Sequence, residues 1–192
     1  MTTPLRLLLI EDNEDDALLI LRELRKGSYE PDWERVCTRS QVEVALKSRS
    51  WDLIICDHYM PGFGSLLALD AIRGLGLDIP VLVVSGSAPE ETITSVMRAG
   101  AHDFISKGHL LRLLPAVARE LEEAQVHKER RRMARKLAES ENRYACLFND
   151  NPAPMLLIDA STLLVIDANH AAAVFFGHSE EVLKQAALSA LS

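Results

Sequence analysis

LIICDHYMPG, residues 53–62, sets four apolar residues, Leu53 to Cys56, directly before a single carboxylate, Asp57. Three positions further on, Met60, Pro61 and Gly62 end any extended run. An uninterrupted apolar run of this length, bounded by turn residues, predicts a strand buried on both faces. Strands of that kind belong to parallel sheets covered by helices, where the functional crevice lies beyond the carboxyl ends of the strands. The lone acid is therefore expected at a site rather than in the core.

Similar runs lie on either side. LRLLLI (5–10), WERVCT (33–38), IPVLVVS (79–85) and HDFIS (102–106) predict four more strands. Amphipathic stretches separate them. A helix from Asn13 or Glu14 to Lys26 is expected to bury Ala17, Leu18, Leu21 and Leu24, and Gly27 ends it. Ser40 is expected to cap a helix to about Ser48, with Glu43 completing a capping box. Ser65 to Arg73 forms the third helix, and a fourth runs from the Pro89 turn to Ala99. Five strands alternating with helices predict a flavodoxin-like, doubly wound α/β fold with a five-stranded parallel sheet.

From Leu110 onward the pattern is helical, with Leu110, Leu114, Val117 and Leu121 closing the first domain over residues 1–125. HKERRRMARK (127–136) then carries six bases and one acid. Val126, Met133, Leu137, Tyr144 and Leu147 continue an intermittent apolar face through a linker spanning 126–147. Two readings fit that face: a solvated helix, or a short parallel coiled coil in which Arg130 weakens one seam position. NPAPM (151–155) stops the helix. Over 148–192, MLLIDA and LLVIDAN predict a hairpin, Ala171–Phe176 a helix ended by Gly177, and Ser179 the start of another to about Leu191.

Composition excludes several function classes. The net charge is −7, and residues 1–110 carry 17 acids against 11 bases, so no global basic footprint for nucleic acid exists. The one basic run has no interleaved aromatics. No apolar stretch is long enough for a membrane span. The three scattered cysteines, Cys37, Cys56 and Cys146, lack metal spacing and read as free thiols, which suits a cytoplasmic protein.

The strand ends carry a constellation. The first ends in Glu11 and Asp12, the third in Asp57 and the fourth in Ser85, and Lys107 follows the fifth. Three converging carboxylates repel one another unless a cation intervenes. All-oxygen donors suit a small hard ion, Mg²⁺, which takes one or two carboxylates plus a phosphate oxygen. Asp57 is then placed to attack phosphorus and form an acyl phosphate. Lys107 and the metal hold the equatorial charge, and the Ser85 hydroxyl adds a hydrogen bond.

The motifs IED (10–12), CDHYMPG (56–62), VVSGS (83–87) and FISK (104–107) resemble those of a response-regulator receiver domain of two-component signalling. By that resemblance Asp57 is the phospho-acceptor, charged from a phosphohistidine on a histidine kinase or phosphotransfer protein. Glu11, Asp12 and Asp57 match the metal-binding acids, joined by the backbone carbonyl of Tyr59. Ser85 and Phe104 match the switch pair, and Lys107 the phosphate-contacting lysine. In such a switch Ser85 moves toward the phosphoryl group, Phe104 rotates inward, and the face formed by the fourth helix, fifth strand and fifth helix changes shape. Two departures stand out. Gly108 follows Lys107 where the family usually has a cis proline, so a trans bond or a reshaped loop is expected. Tyr59 is bulky for the rim and is expected to slow hydrolysis of the acyl phosphate.

Residues 143–183 resemble the start of a PAS domain, through the helix into NPAP, the hairpin, IDAN and FFGHSEE. Only the first half of such a domain is covered, so a truncated or remnant module is expected, poorly packed or stabilised in a dimer. The expected function is a phospho-accepting module that acts on no external substrate and relays its state through the fifth helix, in a homodimer, to a PAS or effector region. A pseudo-receiver serving as a dimeric scaffold is the alternative. A phosphatase with an aspartyl nucleophile is a weaker one, because such enzymes place a second acid where Tyr59 stands.

Overall fold

The computed structural model describes residues 2–184, Ala186 and Ala187. They form two compact units, 1–128 and 129–192. In the first, strands β1 (Thr3–Ile10), β2 (Tyr29–Val36), β3 (Leu53–Asp57), β4 (Val81–Ser85) and β5 (Asp103–Ser106) make a parallel sheet in the order β2-β1-β3-β4-β5. Helices α1 (Glu14–Lys26), α2 (Arg39–Ser48), α3 (Ser65–Gly74) and α4 (Glu90–Arg98) connect them. A 3-10 turn, Lys107–Arg112, leads into α5 (Leu113–Asn149), a helix of 37 residues. This is the expected flavodoxin-like, doubly wound sheet.

Successive side chains of a strand point to opposite faces, and two cores follow from that alternation. Leu5, Leu7 and Leu9 of β1 join Leu53, Ile55, Leu82, Val84 and Ile105 beneath α1 and the start of α5. Leu8 and Ile10 join Ile54, Cys56, Val81, Val83 and Phe104 against α2, α3 and α4. Because β3 and β4 are buried throughout, their sequences are continuously apolar rather than alternating.

Several local expectations are corrected. The buried face of α1 uses Ile20, not Leu18, which is 49% exposed. β2 starts at Tyr29 rather than Trp33; as an edge strand it is mostly exposed, so hydrophobicity does not mark it, and it tolerates Pro31. The capping box of α2 is formed by Thr38 and Gln41, not Ser40 and Glu43. Thr38 is the last extended residue, so its hydroxyl meets the Gln41 amide, while Glu43 pairs with Arg39 one turn on. The stretch from Leu110 begins as the 3-10 turn, and α5 proper starts at Leu113.

In the second unit, β6 (Leu156–Ile158) and β7 (Val165–Ala168) pair antiparallel, followed by α6 (His170–Phe176) and α7 (Glu180–Leu183). Gly177 ends α6 in the left-handed conformation, φ +70°. A small core gathers Val165, Ala168, Ala172 and Leu183. Asn169 pins this unit: its amide nitrogen donates to the carbonyls of Phe148, Asn151 and Ala153, and its oxygen accepts from Met155 and Ala172. The helix expected to reach Leu191 ends at Leu183; Ala187 instead bridges Leu164, and residues 188–192 lie outside the described ones.

Candidate functional site

The strand order reverses between β1 and β3, whose neighbours continue outward on opposite sides. That reversal opens a crevice at the carboxyl ends. Ile10 pairs in register with Cys56, so the next residues, Glu11 just past β1 and Asp57 at the end of β3, stand side by side at the sheet's carboxyl edge. Asp12 follows Glu11, and oxygens of Glu11, Asp12 and Asp57 all lie within 4.8 Å of one another. Glu11 is 1% and Asp57 8% exposed, while Asp12 faces solvent.

Lys107 closes the pocket from β5. Its ammonium donates to Glu11 Oε2 at 3.0 Å, to Asp57 Oδ2 at 2.9 Å and to Asp16 Oδ2 at 2.6 Å. No cis peptide bond occurs among the described residues. The chain turns instead by entering the 3-10 segment at Lys107, and the Ser106 hydroxyl accepts from the Gly108 amide.

Asp16, Asn13 and Arg35 hold the pocket together, roles that were not expected from the sequence. Asp16 sits in the first turn of α1, where Asn13 Oδ1 accepts from the amides of Asp15 and Asp16. The Asn13 amide donates to Glu11 Oε1 at 3.1 Å. Arg35, at the end of β2, donates to the carbonyls of Glu11 and Asp12 and fixes the backbone beneath both acids. The acid-rich first turn of α1 was the one available signal for Asp16. Nothing local marks Arg35, because its partners are more than twenty residues away.

The other expected residues are placed as follows. Tyr59 donates its amide to Asp57 Oδ1 at 3.3 Å, and its ring stands 60% exposed at the rim, edge-on to His58. Ser85 is fully buried, and its hydroxyl donates to the Ser87 carbonyl rather than to a pocket acid. Phe104 is already inward, packed with the α4 side of the core and 6.4 Å from the His58 ring. The inward rotation expected of it therefore has no outer starting position here. Ser85 and Phe104 share a cleft of about 530 Å³ with Ile93 and Met97.

Electrostatics follow from burial. Desolvation raises the Glu11 carboxyl above its ordinary range, helped by Asp57 and opposed by Lys107 and the Asn13 amide. Burial pulls the Lys107 ammonium down, but its bonds to Asp16, Asp57 and Glu11 outweigh that and leave it raised. Four carboxylates gather around one ammonium, a formal charge of −3, with Glu11 and Asp57 buried, Asp16 half-buried and Asp12 open to solvent. The oxygen-only donor set and this excess of negative charge fit a hard divalent cation. Burial likewise pushes the neighbouring Cys56 thiol up, so it stays protonated as core packing.

Comparison with known proteins agrees with this geometry. The family model for the response regulator receiver domain matches residues 7–118. Response regulator RppA of Synechocystis is 30% identical over 120 residues, covering 62% of this chain and 50% of that protein. The autoinducer 2 sensor kinase/phosphatase LuxQ of Vibrio parahaemolyticus is 30% identical over 104 residues, 54% of this chain and 12% of that protein. The chain thus spans half or less of the length of these curated relatives. The crystal structure of NtrX from Brucella abortus is similar with a TM-score of 0.57 at 28% identity, covering 67% of this chain and 29% of that one. Matched along more than half its length, this chain belongs to the response regulator receiver domain family, whose members are regulatory phospho-acceptor modules of two-component signalling.

Proposed function

We propose that Asp57 is the phospho-acceptor of this chain, with Glu11, Asp12, Asp57 and the Tyr59 carbonyl holding Mg²⁺. One observation carries the reading: Asp57 stands at the switch point of the sheet, beside two other acids and within 2.9 Å of Lys107. In the transfer, a carboxylate oxygen of Asp57 bonds to phosphorus as the P–N bond of a donor phosphohistidine breaks. The electron pair returns to the imidazole of a partner kinase or phosphotransfer protein. When bound, the metal neutralises the acids and screens the incoming phosphoryl oxygens. Lys107 contributes a positive charge at the same place.

Phosphorylation brings roughly two negative charges to the pocket. The Ser85 hydroxyl turns from the Ser87 carbonyl to a phosphoryl oxygen, and Phe104 shifts within the cleft it shares with Ile93 and Met97. A switch from about 1:99 to about 99:1 requires ~5.5 kcal/mol of differential binding, within reach of a metal and several charge-assisted bonds. The output runs through α5. Val126, Met133, Leu137, Tyr144 and Leu147 are exposed along it at coiled-coil spacing, which supports a homodimer seam. The second unit acts as a PAS-like element on that path; its hairpin and following helices support the reading.

The test is incubation with acetyl phosphate and Mg²⁺, followed by intact-mass measurement of wild type and Asp57→Ala. A single added phosphate, absent from the variant, is the expected outcome. No modification of wild type would instead favour the scaffold reading, and rapid turnover without accumulation would favour a phosphatase.

A further inference from the structure

The three acids bonded to Lys107 are not equivalent. Glu11 and Asp57 belong, with Asp12, to the set of oxygens close enough to share one cation. Asp16 does not belong to that set, yet its bond to Lys107, at 2.6 Å, is the shortest of the three. A divalent ion that takes oxygens of Glu11 and Asp57 competes with Lys107 for them and repels the ammonium. Lys107 must then swing out to solvent, stay and compete with the ion, or keep a partner that the ion leaves free. Asp16 is such a partner. Its backbone is held by the Asn13 cap at the first turn of α1, and its side chain approaches the ammonium from the helix.

We infer that Asp16 is a positioning residue, an anchor that holds the Lys107 ammonium at the pocket rim while Glu11 and Asp57 turn to the metal. It separates the two cations, so that metal and lysine act on one phosphoryl group without displacing each other. This rests on the Mg²⁺-dependent reading of the pocket given above.

The experiment is calorimetric titration of Mg²⁺ into the full chain for wild type, Asp16→Asn, Lys107→Met and the double variant, with circular dichroism to check folding. Asp16→Asn is expected to weaken Mg²⁺ binding roughly tenfold, the scale of one charge-assisted hydrogen bond. The released ammonium then stays on the metal's own ligands. In the Lys107→Met background the same substitution is expected to have much less effect, because no ammonium remains to be anchored. Asp16→Glu, which keeps the charge and reaches further, is expected to restore most of the affinity. An unchanged affinity for Asp16→Asn would overturn the anchor. So would an equal loss in both Lys107 backgrounds, which would reduce Asp16 to a diffuse charge. Failure of wild type to bind Mg²⁺ would remove the pocket reading itself, and so remains distinguishable.

Discussion

Arg6 and Asp52 show how single residues set the sheet's pH behaviour away from the pocket. The Arg6 guanidinium donates from Nε and Nη2 to the two Asp52 oxygens, at 2.9 and 2.5 Å. The Arg6 amide adds a third bond, at 3.0 Å. Hydrogen bonding to Arg6 outweighs partial burial and holds the Asp52 carboxyl below its usual range. A lowered folded value means that the contribution is present above the unfolded pKa of about 3.9 and is lost as pH falls through the folded one. Asp52→Asn is thus expected to lower the unfolding free energy at neutral pH, read from urea titrations, by about 1 kcal/mol or less because the pair is partly exposed. The gap to wild type should close as the buffer enters the acid range. A constant gap at all pH values would show that shape, not charge, matters at this position.

At the scale of elements, the loop from β3 to α3 is constrained from behind. Gly64 caps α3 with an extended φ of −102°, so its backbone would accept any residue. The space would not: a Cβ there would lie 2.8 Å from the His58 carbonyl oxygen. Backbone cannot rotate away as a side chain can, so Gly64→Ala must push the segment that carries Tyr59. A cost of roughly 1–3 kcal/mol is expected, as for other overpacked sites. Labelling of Asp57 by acetyl phosphate should slow at the same time. Chemical denaturation and timed mass spectra measure both, and an unaffected labelling rate would separate this loop from the geometry of Asp57. His58 strengthens the same link, since its Nδ1 lies 2.7 Å from the Ser65 hydroxyl and its ring meets both Tyr59 and Phe104.

For the whole molecule, α5 is the element that leaves the receiver sheet. In the proposed coiled coil, Arg130, Leu137 and Tyr144 would take one seam position, and Val126, Met133, Ser140 and Leu147 the other. Lys136 and Glu141 then flank the seam with opposite charges, which suits a parallel pair. Arg130 is the charged interruption. Arg130→Leu is expected to tighten self-association, and phosphorylation of Asp57 to change it along with amide exchange over residues 110–145. Sedimentation equilibrium and hydrogen–deuterium exchange read these directly. A chain that stays monomeric in all forms, with unaltered exchange, would remove α5 as the output path. Among the described residues, no helix is long and apolar enough to cross a membrane.

Much of this architecture is written in local sequence. Continuous apolar runs mark β1, β3 and β4 because those strands are buried on both faces, and Asn13, Gly27 and Gly177 mark helix ends because capping is a property of a few neighbouring residues. The acids at the strand ends were legible for the same reason, once a parallel sheet was assumed. What the chain alone could not reveal depends on partners far away along it. The edge strand β2 buries too little to show a pattern, Ile20 replaces Leu18 because of the sheet beneath α1, and Arg35 finds its carbonyls only when β2 lies beside β1. Asp16 meets Lys107 across 91 positions of sequence. Burial pattern and capping determined the fold; which acids meet around the lysine was left to three-dimensional packing, because a bond's strength depends on distance in space, not along the chain.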